Sequence, residues 1–235
     1  MEPLQTLTAP TATRPMLGMT VLVVEDSIYA SEALRLLCLR SGARIRRADC
    51  LRSARRHLQV YRPSAIIVDL GLPDGNGTEL IRDLARAAPK VSVIAALSGD
   101  TGAQEAAMAA GADCFMEKPL TSIARFQSTI LAHMPPEYRL SGPRALSQDQ
   151  VEPDQIAYLD DITHAAEVLP ETGDPGMLAY LTQFLSGVAR CAGDEALLSA
   201  VEALEKARAA GQPTHAALAV LDELLQERLR ERVAI

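Results

Sequence analysis

The sequence predicts an α/β domain built on a doubly wound five-stranded parallel sheet, followed by an all-α module. Three observations predict it. From Met19 to His133, short apolar runs alternate with amphipathic segments. Those runs are apolar almost without a break, as strands covered on both faces must be. Beyond residue 154 the runs cease, and only helical spacing remains. The 235 residues leave room for two domains, and 48% apolar with 23% charged residues is ordinary for a soluble globular chain. Trp is absent and aromatics are only 3%, so the core must be aliphatic.

The elements follow in order. Residues 1–18 lack the basic flank and apolar run of a secretory signal, and are expected to form a flexible arm. "MTVLVVED" is the first strand and "SEALRLLCLRSG" a helix stopped by Gly42. "ARIRRA" is a weaker edge strand, followed by the helix "LRSARRHLQVY". "SAIIVD" and "GTELIRDLARAA" form the third strand and helix, and "VSVIAAL" and "AQEAAMAAG" the fourth pair. "CFMEK" and "TSIARFQSTILAHM" complete the fifth. Strict β–α alternation of this kind gives a parallel sheet with helices on both faces.

Such sheets bind ligands outside the carboxyl ends of their strands. Glu25 and Asp26 end the first strand, Asp69 the third, Ser98 the fourth and Lys118 the fifth. In a sheet of order 2-1-3-4-5 the first and third strands are neighbours, so three carboxylates converge. Like charges in one place repel, and a divalent cation among them removes the conflict. Oxygen donors without His or Cys select a hard ion such as Mg²⁺. With Lys118 as a further positive charge and Ser98 as a hydroxyl, the set suits a phosphoryl group carried on a carboxylate. Each residue has a plainer use alone: Asp69 could open a turn, and Glu25-Asp26 could cap a helix. Their conjunction at successive strand ends defeats those readings.

With the pair Glu25-Asp26, Asp69 in "VDLGLPDGNG", Ser98 in "ALSG" and Lys118-Pro119 after "GADCFMEKP", residues 19–133 resemble the receiver domain of bacterial two-component response regulators. The resemblance implies the flavodoxin-like order 2-1-3-4-5. It also implies that Asp69 accepts a phosphoryl group from a sensor histidine kinase or histidine phosphotransfer protein. By the same resemblance Asp26, Asp69 and the carbonyl of Gly71 would hold Mg²⁺, with Glu25 acting through water. Lys118 would pair with Asp69 and then with the phosphoryl oxygens, while Ser98 and Phe115 would form the switch. Two departures stand out. The interval from Ser98 to Lys118 is shorter than is usual in the family, and Phe115 replaces the commoner Tyr.

The second half differs. Residues 134–154 are rich in Pro, Ser, Gly and Gln and read as a linker. Four helical segments follow, at 155–169, 175–191, 194–210 and 214–233, with apolar residues at helical spacing such as Leu178, Leu181, Leu185 and Val188. They suit a small bundle or dimerising hairpins. Residues 135–235 hold 8 Lys/Arg against 17 Asp/Glu, whereas residues 1–134 hold 15 against 13. A DNA-reading module needs a basic face, so DNA is not the expected partner. The arginine-rich stretch "RSGARIRRADCLRSARRH" has no interleaved aromatic for base stacking, and reads as a solvated face or a contact for an acidic protein. His164 and His215 lack the Lys-Gly pair that usually follows a phosphotransfer histidine.

The expected function is thus a response regulator that acts through a downstream protein partner or as a homodimer. The alternative is a phosphorelay component whose helical half is a divergent histidine phosphotransfer module. No nucleophile–base pair in residues 155–235 suggests an enzyme. No apolar run approaches the roughly 18 residues of a membrane span. The four cysteines show no zinc spacing, so a cytoplasmic protein with reduced thiols is expected. The output is expected to be relayed through the face formed by the fourth helix, fifth strand and fifth helix.

Overall fold

The structure, a computed structural model, describes residues 9–138, 147–169 and 175–232. Five parallel strands form the main sheet: β1 (Thr20–Val24), β2 (Arg44–Ala48), β3 (Ala65–Asp69), β4 (Val93–Ser98) and β5 (Cys114–Glu117). Their order is β2-β1-β3-β4-β5, the order that the sequence predicts. Strands β3 and β4 are buried at every position, and β1 at all but its first. This is why they read as unbroken apolar runs: helices cover both faces and leave no polar side. The edge strand β2 exposes Arg44, Arg46 and Arg47, which explains its weaker pattern. The other arginines of that stretch, Arg40, Arg52, Arg55 and Arg56, are exposed as well.

Helices α1 (Ile28–Ser41) and α5 (Ile123–His133) cover one face of the sheet, with Leu34, Leu37, Phe126 and Ile130 packed on Val21, Val23 and Ile67. Helices α2 (Leu51–Val60), α3 (Gly77–Arg86) and α4 (Gln104–Ala110) cover the other, with Leu51, Leu80 and Ile81 on Leu22, Ile66 and Ile94. Helix α4 has only seven residues after a single 3₁₀ turn, Thr101–Ala103. The short Ser98–Lys118 interval is spent there. The expected flexible arm needs correction. Residues 1–8 lie outside the described residues, but Met16 is fully buried in the α1/α5 core and its N–H bonds the Ser41 carbonyl at 2.9 Å. A large apolar side chain beside the end of α1 gains more by burial than by remaining mobile.

The expected linker is partly pinned. Residues 139–146 of it are not described, but Val151 is buried in the same core, its N–H bonds the Thr121 carbonyl at 2.9 Å, and Gln150 bridges Ser122. Beyond it, α6 (Gln155–Val168), α7 (Pro175–Ala192), α8 (Glu195–Ala209) and α9 (His215–Arg232) pack as a four-helix bundle, each against the next and α9 back on α6. Its core is aliphatic, centred on Ile162, Leu181, Leu185, Val188, Leu197, Val201, Leu204, Leu221 and Leu225. Among the described residues no helix is long and apolar enough to cross a membrane.

Asp194 ties three of these helices. Its carboxylate caps α8 at the Leu197 N–H (3.0 Å), accepts the Tyr158 hydroxyl at 2.7 Å, and pairs with Arg228 at 2.8 Å. Burial alone would raise its pKa, but Arg228 and Tyr158 outweigh that and hold it down at about 2. A folded-state pKa below the unfolded one contributes stability that is complete above about pH 4 and is lost as pH falls toward that lower value. Asp194→Asn is therefore expected to be about 1 kcal/mol less stable than the parent near neutral pH. Thermal unfolding followed by circular dichroism should show that gap closing in acid. A gap unchanged at low pH would refute the assignment.

Candidate functional site

Parallel strands end side by side, so the sheet delivers Glu25, Asp26, Asp69, Ser98 and Lys118 to one cleft of about 580 Å³. Glu25, Asp69, Ser98 and Lys118 are buried, and Asp26 is half-buried. One oxygen from each of Glu25, Asp26 and Asp69 lies within 4.8 Å of the others. The Lys118 ammonium stands 2.8 Å from Glu25 Oε2 and 3.2 Å from Asp69 Oδ1, and donates to Glu25 Oε1 at 2.9 Å. Glu25 Oε2 meets the ammonium as an ion pair. The turn after β3 is a tight hairpin, Gly71–Leu72 against Gly75–Asn76. Gly77 follows it, where a Cβ would lie 2.1 Å from the Asp69 carbonyl oxygen, so only glycine lets the chain fold back here.

Three carboxylates against one ammonium leave the cleft short of positive charge. Burial raises the pKa of Glu25 well above its ordinary value, opposed by Lys118 and aided by the neighbouring acids. Burial and repulsion from Asp69 push Asp26 up to about 7. Burial also raises Asp69, against Lys118 and the Leu70 and Gly71 amides. For Lys118, burial works against the charged form, but Asp69 and Glu25 outweigh it and raise the pKa. Hard oxygen donors and an unbalanced negative charge fit a divalent cation of the Mg²⁺ kind. Among the described residues this is the one such acidic group.

Every site residue that the sequence predicts at a strand end reaches this cleft, with Gly71 on its rim. Ser98 Oγ accepts the Asp100 N–H at 3.1 Å. Phe115 stands behind, half-buried against the α2/α3/α4 core. What sequence reasoning misses is the other wall. Ala179, Gln183, Phe184, Gly187 and Arg190 of α7 line the same cleft. The Tyr180 hydroxyl donates to Asp26 Oδ2 at 2.7 Å. Asp161 of α6 is buried and accepts from Ser27 Oγ (2.7 Å), the Ile28 N–H (2.7 Å) and the Tyr29 N–H (3.0 Å), capping α1 from outside its own domain. The helical half thus packs on α1 and the Gly71–Leu72 turn. The output face expected from the sequence, α4–β5–α5, is not where these bonds form. The unsatisfied N–H groups at the start of α1 give a buried carboxylate a better partner. His164 is exposed, its ring edge-on to Phe184 at 5.6 Å, and His215 is exposed at the start of α9.

Removing the single ammonium would strand buried carboxylates. Lys118→Met is expected to lower stability by about 3–5 kcal/mol in urea unfolding with metal chelated. Unchanged midpoints would show that the acids do not depend on it.

Comparison with known proteins agrees with this geometry. Residues 21–130 match the family described as the response regulator receiver domain. The KDP operon transcriptional regulatory protein KdpE of Escherichia coli is 40% identical over 100 residues, 42% of this chain and 44% of that protein. The virulence transcriptional regulatory protein PhoP of Salmonella typhimurium is 35% identical over 103 residues, 43% and 46% of the two chains. The chain therefore covers less than half the length of either relative. A CheY-like response regulator receiver domain from Methylobacillus flagellatus is 25% identical, with a TM-score of 0.45, covering 49% of this chain and 98% of that one. Family match and site geometry coincide on one segment: residues 21–130 are a response regulator receiver domain.

Proposed function

We propose that this chain is a cytoplasmic response regulator in which Asp69 takes a phosphoryl group from the histidine of a sensor kinase or phosphotransfer protein. The observation that carries the reading is the acidic trio with Lys118 inside the family match. In the transfer, an Asp69 oxygen forms a bond to phosphorus as the bond to the donor imidazole breaks. Lys118 stands beside Asp69 to neutralise the phosphoryl oxygens, and Ser98 offers them a hydroxyl. Phe115 would follow Ser98 inward, as the family resemblance implies. Asp26, Asp69 and the Gly71 carbonyl would hold Mg²⁺, with Glu25 through water, and the ion would supply the positive charge that the cleft lacks. Positioning and charge neutralisation suffice for such a step.

The output is assigned to the helical half, acting on another protein or on a second copy of itself, without enzymatic activity of its own. The two curated relatives are named as transcriptional regulatory proteins, but the family match ends at residue 130 and residues 135–235 carry twice as many acids as bases. That charge disfavours DNA as the partner. A phosphorelay role for the bundle is the second reading, favoured by one observation: the exposed His164 meets, edge-on, the ring of Phe184, a residue of the cleft wall.

Incubation with acetyl phosphate and Mg²⁺, followed by intact mass, is expected to give one base-labile adduct. Asp69→Asn should abolish it while circular dichroism stays unchanged. An undiminished adduct would move the site elsewhere. Asp26→Ala should weaken Mg²⁺ binding by calorimetry by roughly ten-fold or more, the effect of losing one of two direct carboxylate ligands. Binding equal to the parent's would remove Asp26 from the ligand set.

A further inference from the structure

The α7 wall does more than border the cleft. Both oxygens of Asp26 are engaged: Oδ1 accepts the Ser27 N–H at 3.1 Å and Oδ2 accepts Tyr180 at 2.7 Å. Asp26 is one of the three carboxylates that would hold a cation, and the docked bundle leaves neither of its oxygens free. Gly71 is crowded from the same helix, since a Cβ there would lie 2.5 Å from the Gln183 side chain. A Cβ on Gly187 would lie 3.9 Å from Lys118 Nζ, so the α7 backbone passes directly over the ammonium. Asp161 and the edge-on pair Tyr29–Tyr158, 6.0 Å apart, fasten α6 to the start of α1 beside it.

We propose that α7 is an intramolecular occupant of the cation site: the Tyr180 hydroxyl takes the place at Asp26 that a divalent cation would fill, so that docking of the helical half and cation loading oppose one another. This rests on the metal reading given above. A hydroxyl proton offers one carboxylate a small partial charge, whereas a divalent ion together with Lys118 would balance all three. Docking therefore satisfies the cleft only in part, and the ion satisfies it better. The two events share Asp26 and the crowded Gly71 rim, and their coupling is reciprocal. Whatever factor Tyr180 costs the cation, the cation costs the docking. The phosphodonor meets the same constraint, because its histidine must reach Asp69 through the cleft that α7 walls. The surface of α1 and the β3–α3 turn is thus contested by the chain's own bundle and by the donor protein.

The test uses the full chain and Mn²⁺, with free Mn²⁺ followed by electron paramagnetic resonance. Tyr180→Phe, which removes one oxygen and leaves the ring packed on Phe184, is expected to bind Mn²⁺ about five-fold more tightly than the parent, the equilibrium equivalent of one net hydrogen bond. Gln183→Ala, which relieves Gly71 without touching Asp26, should shift affinity in the same direction. Docking is read separately from the half-buried thiol of Cys191 on α7, which feels the charges of Lys118, Glu25 and Asp69. Its alkylation, mapped by peptide mass, should accelerate in the parent at saturating Mn²⁺, while the core thiols Cys38 and Cys114 stay protected. Equal Mn²⁺ affinity in parent and both variants overturns the proposal. So does a Cys191 rate indifferent to the ion, which would leave the helical half in place during loading. No binding by any of the three proteins would defeat the metal reading itself, and this inference with it.

Discussion

One buried ammonium among three carboxylates, two of them buried, is the constraint on which the rest of the molecule turns. Lys118 is placed by the end of an edge strand, and its partners by two central ones, so no local segment could assemble the group. The parallel sheet can, because every strand end points the same way and the register fixes their spacing. The surrounding choices follow. Strands β1, β3 and β4 must be apolar on both faces, because the sheet carrying the acids is itself buried. The glycines of the β3–α3 turn let the chain double back tightly beside Asp69. The remaining charge imbalance is left for something outside the receiver core to meet.

That outside partner is the chain's own helical half, and it meets the receiver through polar groups. Asp161 completes the hydrogen bonding of the first turn of α1, and Tyr180 serves an acid that Lys118 does not reach. Both contacts are short and largely removed from water, where an unpaired partner is costly. The bundle nevertheless has its own core, separate from the two receiver cores, and Tyr29 of α1 packs against it. Tyr158 and Phe184 serve both that core and the attachment, so the two are linked.

The receiver and its cleft were legible because each part is written locally. An unbroken apolar run marks a doubly covered strand, and a charged or hydroxyl residue at its end marks the ligand edge. The four helices of the second half were equally legible from Pro and Gly breaks and from apolar spacing. The attachment was not, because Ser27 and Asp161 are 134 residues apart, and Asp26 and Tyr180 are 154. One signal did exist. Asp161 lies among Tyr158, Leu159, Ile162 and Ala165 on the buried side of α6, and a carboxylate in a core stripe asks for a distant donor. Met16 offered a similar hint: a large apolar side chain two residues before Gly18 reads as an arm only until a core is found beside it.

The pinning of Val151 has a consequence for any competitor. Its N–H holds Thr121, and α6 begins at Gln155 under the cap of Asp154, so only residues 152–154 separate a fixed point of the receiver from the bundle. A tether that short keeps the bundle at an effective concentration on the order of millimolar or above at the cleft. The bundle can swing aside, but it cannot diffuse away. A second protein seeking the same surface at cellular concentrations must therefore bind far more tightly than the bundle does, or arrive while a bound ion has already weakened the bundle's hold. Chain connectivity, more than contact area, sets the threshold that a signal has to cross.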